Sequence, residues 1–155
     1  MRRRAILALA LLAPIAAFAQ DNAALNEAAL NEAASDAAMA FMKALRKNDI
    51  ETAMQFVDAP FVAEDARLLA TEADVKAYLT AMCAQIEAAE MPNAVLAILD
   101  YEQSRAGTAE QALKLRDTVL GKGDLLIATG RDGISHSVLL VKANGGKAMV
   151  VGVGF

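Results

Sequence analysis

His136 is the only histidine of the 155 residues and Cys83 the only cysteine, and Asp100-Tyr101 sits at the end of an apolar run; with Tyr78 these are the side chains suited to chemistry. Acid/base work needs a titratable group and a partner that orients it, both facing one cavity. His136 lies between Ser135 and Ser137 near the start of a strand, in phase with Val138 and Leu140 but also with Lys142, so alternation leaves its face open. A catalytic role would need an acidic partner that the sequence does not identify, and a hydrogen-bonded structural or surface histidine is the simpler reading. Asp100 is in phase with Leu96 and Ile98: facing inward it is a buried carboxylate suited to a general base. If the strand has ended, Asp100 and Glu102 are solvated edge charges, which is the reading we favour. Tyr78 either lines a cavity or covers the core, its phenol requiring a partner if buried. Cys83 falls inside an expected helix with no basic neighbour in sequence, as a small buried hydrophobe would.

Other chemistries are excluded by composition. One histidine, one cysteine and no carboxylate cluster of ligand spacing propose no zinc or calcium site, so no metal and no cofactor are expected. No Gly-x-Ser-x-Gly elbow, phosphate loop or dinucleotide fingerprint occurs, and Gly121-Lys122-Gly123-Asp124 lacks the helix a phosphate loop needs.

The N-terminus reads MRRRAILALALLAPIAAFAQ: three arginines, an apolar core from Ala5 to Leu12, and Ala17-Phe18-Ala19 before Gln20, the layout of a secretory signal peptide cleaved near Ala19. Pro14 and the small-residue exit make it too short for a spanning helix, so no membrane span is expected after processing. The chain has 15 Lys+Arg and 19 Asp+Glu; cleavage removes three arginines and leaves 12 against 19, a net charge of −7 on 136 residues. Such acidity argues against nucleic acid, which requires a clustered basic surface. With 56% hydrophobic residues the chain folds rather than staying disordered, and its length suits one domain. The expected localisation is periplasmic or secreted.

The elements that must position these residues follow from periodicity. Residues 20–35 form an alanine-rich lead-in with ALNEA repeated at 24–28 and 29–33, a period that holds no fixed helical face. From residue 36 a single domain begins. Ala38, Phe41, Met42 and Leu45 form one apolar stripe, and Ile50, Ala53, Met54 and Val57 a second after an Asn48 cap with Glu51 in capping-box position, so two short helices share a core at an angle. Pro60 stops the second, and Phe61-Val62 with Leu68-Leu69 suit a short strand pair. Thr71 caps a third helix running to about Glu90. Ala94 to Tyr101 reads as a strand buried on both faces; residues 108–117 suit a short helix, with 108–120 open between helix and strand. Segments 124–130, 135–143 and 147–155 read as three strands joined at Asp132-Gly133 and Asn144-Gly145-Gly146, an antiparallel meander. Helices first and sheet after give an α+β fold.

AFMKALRKNDIETAMQFVDAPFV resembles the opening helical hairpin of the nuclear transport factor two-like (SnoaL-like) superfamily, TEADVKAYL its third helix, and VLGKGDLLIATGRDG with HSVLLVKANGGKAMVVGVGF its closing strands, over about residues 36–155. Ala148, where an aromatic is common, and a longer, more helical 102–120 segment depart from that pattern. The resemblance implies a cone-shaped curved antiparallel sheet wrapped around the N-terminal helices, a cavity inside it, and frequent homodimerisation through the outer sheet face. Met149, Val151 and Val153 alternating with Ala148, Val150 and Gly152 make both faces of the last strand apolar or small, so both need cover. The fold hosts isomerases, dehydratases and non-catalytic members and does not by itself choose among them. The resulting expectation is an exported, non-enzymatic domain binding a small apolar ligand or a protein partner in the bacterial cell envelope, with Tyr78 the candidate at the ligand. The alternatives are an isomerase or dehydratase-like enzyme using Asp100, Tyr101 and His136, and a structural envelope protein.

Overall fold

The computed structural model describes residues 13–144 and 146–154. The charged start and apolar core of the expected signal peptide, residues 1–12, lie outside them. Among the described residues no helix is long and apolar enough to cross a membrane. Helix α1, Ala13–Arg46, runs without a break through the alanine-rich lead-in. Leu25 is exposed there, and packing begins at Leu30, Ala33 and Ala34, earlier than the stripe at Ala38 suggested.

Helix α2, Ile50–Met54, follows a tight turn in which Asn48 has a φ of 55° and Asp49, not Asn48, is the cap. One Asp49 oxygen accepts from the Thr52 N–H at 3.1 Å and the other from the Thr52 hydroxyl at 2.7 Å. These bonds, the hydroxyl's first, hold the Asp49 carboxyl below its ordinary value. The helix stops short of Val57, which instead opens strand β1, Val57–Val62. Sheet pairing captures it: Val57 lies in register with Val150 of β6, Lys147–Gly154, whose N–H donates to the Phe56 carbonyl at 2.7 Å. Pro60 sits where the β1–β6 register shifts, so its missing N–H interrupts no ladder.

β1 pairs antiparallel with β2, Leu68–Leu69, as the two dipeptides predicted. Helix α3, Glu72–Gln85, is capped by the Thr71 hydroxyl and ends at an extended Ile86, four residues before the expected Glu90. Strand β3, Ala94–Asp100, leads into α4, Tyr101–Ser104, and α5, Glu110–Arg116, so the 108–117 segment is helical. Thr108 is not the cap of α5; its hydroxyl bonds back to the Ser104 carbonyl at 2.9 Å. Strands β4, Leu125–Arg131, and β5, Ile134–Asn144, then meet β6 in the expected meander. At the first hairpin Asp132 and Gly133 both have positive φ, 54° and 76°, as an Asp-Gly turn requires.

The six strands form one sheet in the order β2-β1-β6-β5-β4-β3. It is mixed rather than antiparallel throughout, because β1 runs parallel to β6. β3 also departs from expectation: it is an edge strand paired only to β4, and it exposes Leu96 and Leu99. A short apolar run reports hydrophobicity, not position in the sheet.

Cross-strand partners share a face. On the helix face Leu125, Ile127, Leu139, Val141 and Val150 pack against Phe41 and Leu45 of α1 and Val75 and Leu79 of α3. On the opposite face Val62, Leu126, Leu140 and Val151 pack under Tyr101, Val119 and Leu120. Tyr101, Val119 and Leu120, from the two ends of the 101–120 segment, thus cover part of this outer face. Gly152 lets strands meet closely here: a Cβ there would stand 2.7 Å from Leu140 Cδ1 and 3.0 Å from the Val62 carbonyl oxygen.

Candidate functional site

Between α1, α3 and the helix face of the sheet lies a cavity of about 330 Å³. Phe41, Met42 and Leu45 of α1, Met82 of α3, and Leu139 and Val153 of the sheet make its apolar walls. They stand there because the α1 stripe seats Phe41 and Leu45 on the core, while α3 ends at Ile86 and the chain turns away before reaching β3.

Polar groups enter from two sides. Thr129 is fully buried; its hydroxyl donates to the Ser137 carbonyl at 3.2 Å and lies 2.9 Å from the Ser137 hydroxyl. The pair is satisfied internally, and no buried side-chain nitrogen or oxygen among the described residues lacks a partner. His136 is exposed and also lines the cavity. Strict alternation with Val138 and Leu140 would turn it to the outer face, but Thr129 pairs with Ser137 and Gly130 with Ser135, which leaves His136 as the extra residue of a bulge. Bulges re-aim side chains in this way.

The remaining polar lining comes from two loops, through Glu64 after β1 and Glu90 before β3. Both loops are tied down. The Glu64 N–H donates to the Tyr78 hydroxyl at 3.2 Å, and the Tyr78 ring tilts against Phe61 at 6.2 Å between centroids. Burial, the larger influence, raises the Tyr78 hydroxyl above its ordinary value. Tyr78 is therefore behind the wall, holding a loop. On the other side Arg131 donates to the Met91 carbonyl at 2.9 and 3.2 Å and Arg46 to the Pro92 carbonyl at 2.7 Å, while the Asn93 N–H donates to the Gly130 carbonyl at 2.9 Å.

The other sequence candidates go elsewhere. Asp100 faces a separate groove beside Asn26, Leu30 and Leu125, where its carboxylate accepts from the Gln103 N–H at 3.0 Å and caps α4. It is paired with Leu125, four β4 positions from Thr129, roughly 13 Å along the strand. Tyr101 lies on the outer face, 1% exposed, and donates to Asp117 Oδ1 at 2.6 Å. The Arg105 guanidinium is ion-paired to Asp117 and stands 5.5 Å from the centre of the Tyr101 ring. Burial, then the bond to Asp117, pushes the Tyr101 hydroxyl up to about 12, and the Arg105 and Tyr101 hydrogen bonds hold Asp117 below its ordinary value. Asp100, Tyr101 and His136 are thus not brought to one place. Cys83 is half-buried with its thiol near the Leu45 carbonyl at 3.7 Å, and burial pushes it up.

Thr129, Ser137, Glu64 and Glu90 were not singled out in the sequence. Only Thr129 left a signal, as the polar residue within the apolar run DLLIATG. No group of three or more His, Cys, Asp or Glu among the described residues could hold a metal ion. The chain matches no family model, no curated protein and no solved structure.

Proposed function

We propose that the protein is an exported binding domain, periplasmic or secreted, that takes a small apolar ligand into the cavity between α1, α3 and the sheet. The observation that carries this reading is the cavity itself: about 330 Å³, within the range of small-molecule sites and walled by Phe41, Met42, Leu45, Met82, Leu139 and Val153. The three methionines at it, Met42, Met82 and Met91, are unbranched and adapt to ligand shape. A helical lead followed by a sheet that is open at its edges supports a nuclear transport factor two-like cone as the parent architecture. The charged start, apolar core and small-residue exit of residues 1–19 support export.

The isomerase or dehydratase alternative needs Asp100 and His136 at one substrate atom. The separate groove at Asp100, the helix cap it makes and the outward position of Tyr101 favour binding over catalysis.

Native mass spectrometry of the processed protein, purified from its own host's envelope, tests the proposal and reports subunit count in the same spectrum. Retained small-molecule mass that disappears in Met82→Trp, which fills the cavity, is the expected result. A ligand-free spectrum together with no calorimetric binding of any apolar probe would sink it.

A further inference from the structure

The apolar walls of the cavity select an apolar body, and the fully buried polar side chain among them selects what that body carries. Thr129 of β4 is 0% exposed and stands in register with the half-buried Ser137 of β5, and both line the cavity. Their hydroxyl oxygens are 2.9 Å apart, and the Thr129 oxygen is also 3.2 Å from the Ser137 carbonyl. A hydroxyl has one proton to give and two lone pairs to receive with. If Thr129 gives its proton to the Ser137 carbonyl, Ser137 gives its own to Thr129 Oγ1, and both protons are used. The reverse order, Thr129 to Ser137 Oγ, leaves the Ser137 proton without a protein acceptor, and an unpaired donor at an apolar wall is costly. The first arrangement therefore holds, and the lone pairs of Ser137 Oγ are what remains open to a ligand.

Two further observations set the polar end of a ligand there. The β4–β5 register shifts at this point, and the extra residue, His136, joins Ser137 on the same cavity; bulges of this kind collect beside functional sites. Charge around the lining carries both signs. Glu64 and Glu90 belong to the lining, and the Arg46 and Arg131 guanidiniums stand on the carbonyls of Pro92 and Met91, which also belong to it. Two carboxylates against two guanidiniums give no net attraction to either sign, while a charged head would still lose its water on entering.

We infer that the ligand is a neutral apolar alcohol, its hydroxyl donating to Ser137 Oγ and its hydrocarbon body lying along Phe41, Met82 and Leu139. This rests on the binding reading proposed above and adds the polar end of the ligand to it. An ether has no proton to give and meets the Ser137 lone pairs with its own, unless it draws the Ser137 proton away from Thr129. The difference between alcohol and ether is thus one neutral hydrogen bond, an affinity preference of about fivefold.

The experiment titrates octanol, its ether isomer 1-methoxyheptane, octylamine and octanoate by calorimetry at pH 7, since the absence of tryptophan leaves little intrinsic fluorescence to follow. Wild type, Ser137→Ala and the cavity-filling Met82→Trp are used, each checked for cooperative thermal unfolding. Ser137→Ala keeps the main-chain carbonyl that Thr129 donates to, so the wall stays satisfied while the accepting hydroxyl is removed. The inference expects octanol to bind about fivefold tighter than 1-methoxyheptane and tighter than either ion, its advantage over the ether to fall below about twofold in Ser137→Ala, and all four to lose binding in Met82→Trp. An ether as tight as octanol in wild type, an ion that binds tighter than octanol, or an alcohol preference that survives in Ser137→Ala overturns the alcohol while leaving the cavity reading intact. No binding by any of the four overturns both.

Discussion

The two faces of the sheet are covered in different ways by the same chain. On the outer face the 101–120 segment is anchored at its two ends: Tyr101, Val119 and Leu120 are buried against Leu126, Leu140 and Val151, and the Tyr101 hydroxyl is fixed by Asp117 and Arg105. On the helix face α1 and α3 pack tightly at Phe41, Val75 and Leu79 but part toward Met82, leaving the cavity. The same sheet therefore carries a filled layer on one face and a layer with room in it on the other.

The largest test of that contrast is Tyr101→Ala. It removes a fully buried ring from the closed face and should lower unfolding stability by about 3–5 kcal/mol in urea titration. A loss below about 1 kcal/mol would mean that the 101–120 cover is dispensable, and the comparison would collapse. Next is Asp124→Ala. Asp124 is 5% exposed and ties the β4 entry together, accepting from the Gly121 N–H at 2.7 Å and the Ala143 N–H at 2.8 Å. Removing it strands two backbone donors, for an expected loss of about 2–4 kcal/mol measured the same way.

On the open face, Thr129→Val should cost about 1 kcal/mol through the lost Ser137 bonds, with octanol affinity unchanged or higher as the cavity becomes less polar. A cost like that of Tyr101→Ala would show the cavity wall to be as tightly specified as the closed face.

The smallest effect is in titration. The chain has two tyrosines, so Tyr78→Phe leaves Tyr101 alone in an ultraviolet titration at 295 nm. Its transition is expected near pH 12 rather than the ordinary value of about 10. Because the folded value is raised, the stability Tyr101 contributes is present in full below pH 10 and declines as pH rises toward 12. Asp117 works at the other limb: its folded value is lowered, so its contribution is present above the ordinary carboxylate range and is lost as pH falls through the lowered value. Asp117→Asn should bring the Tyr101 transition down toward 10, and a transition unmoved by that change would assign the shift to burial alone.

Much of the fold was legible. The α1 stripe, the Thr71 cap, the Phe61-Val62 and Leu68-Leu69 pair and the C-terminal meander all rest on local signals: helical period, side-chain capping and Asp-Gly turn chemistry. The misreadings share a cause. Val57 continued a helical stripe and became a strand; Ala94–Asp100 looked doubly buried and became an edge; the sheet became mixed because residues far apart in sequence, 57 and 150, meet in parallel. Each depends on a partner strand that local pattern cannot identify.

The candidate site was less legible still. His136 reached the cavity only through a bulge that broke the alternation, and Glu64 and Glu90 are ordinary loop acids in the sequence that the fold places at the cavity lining. By itself the sequence determined the α+β class, the order of elements, the acidic balance and the apolar character of both sheet faces, because these follow from residue type and period. Only the tertiary structure decided which segment covers which face, that Tyr101 is buried on the face away from the cavity, and which polar groups share the cavity, because those are set by strand pairing and packing between residues distant in the chain.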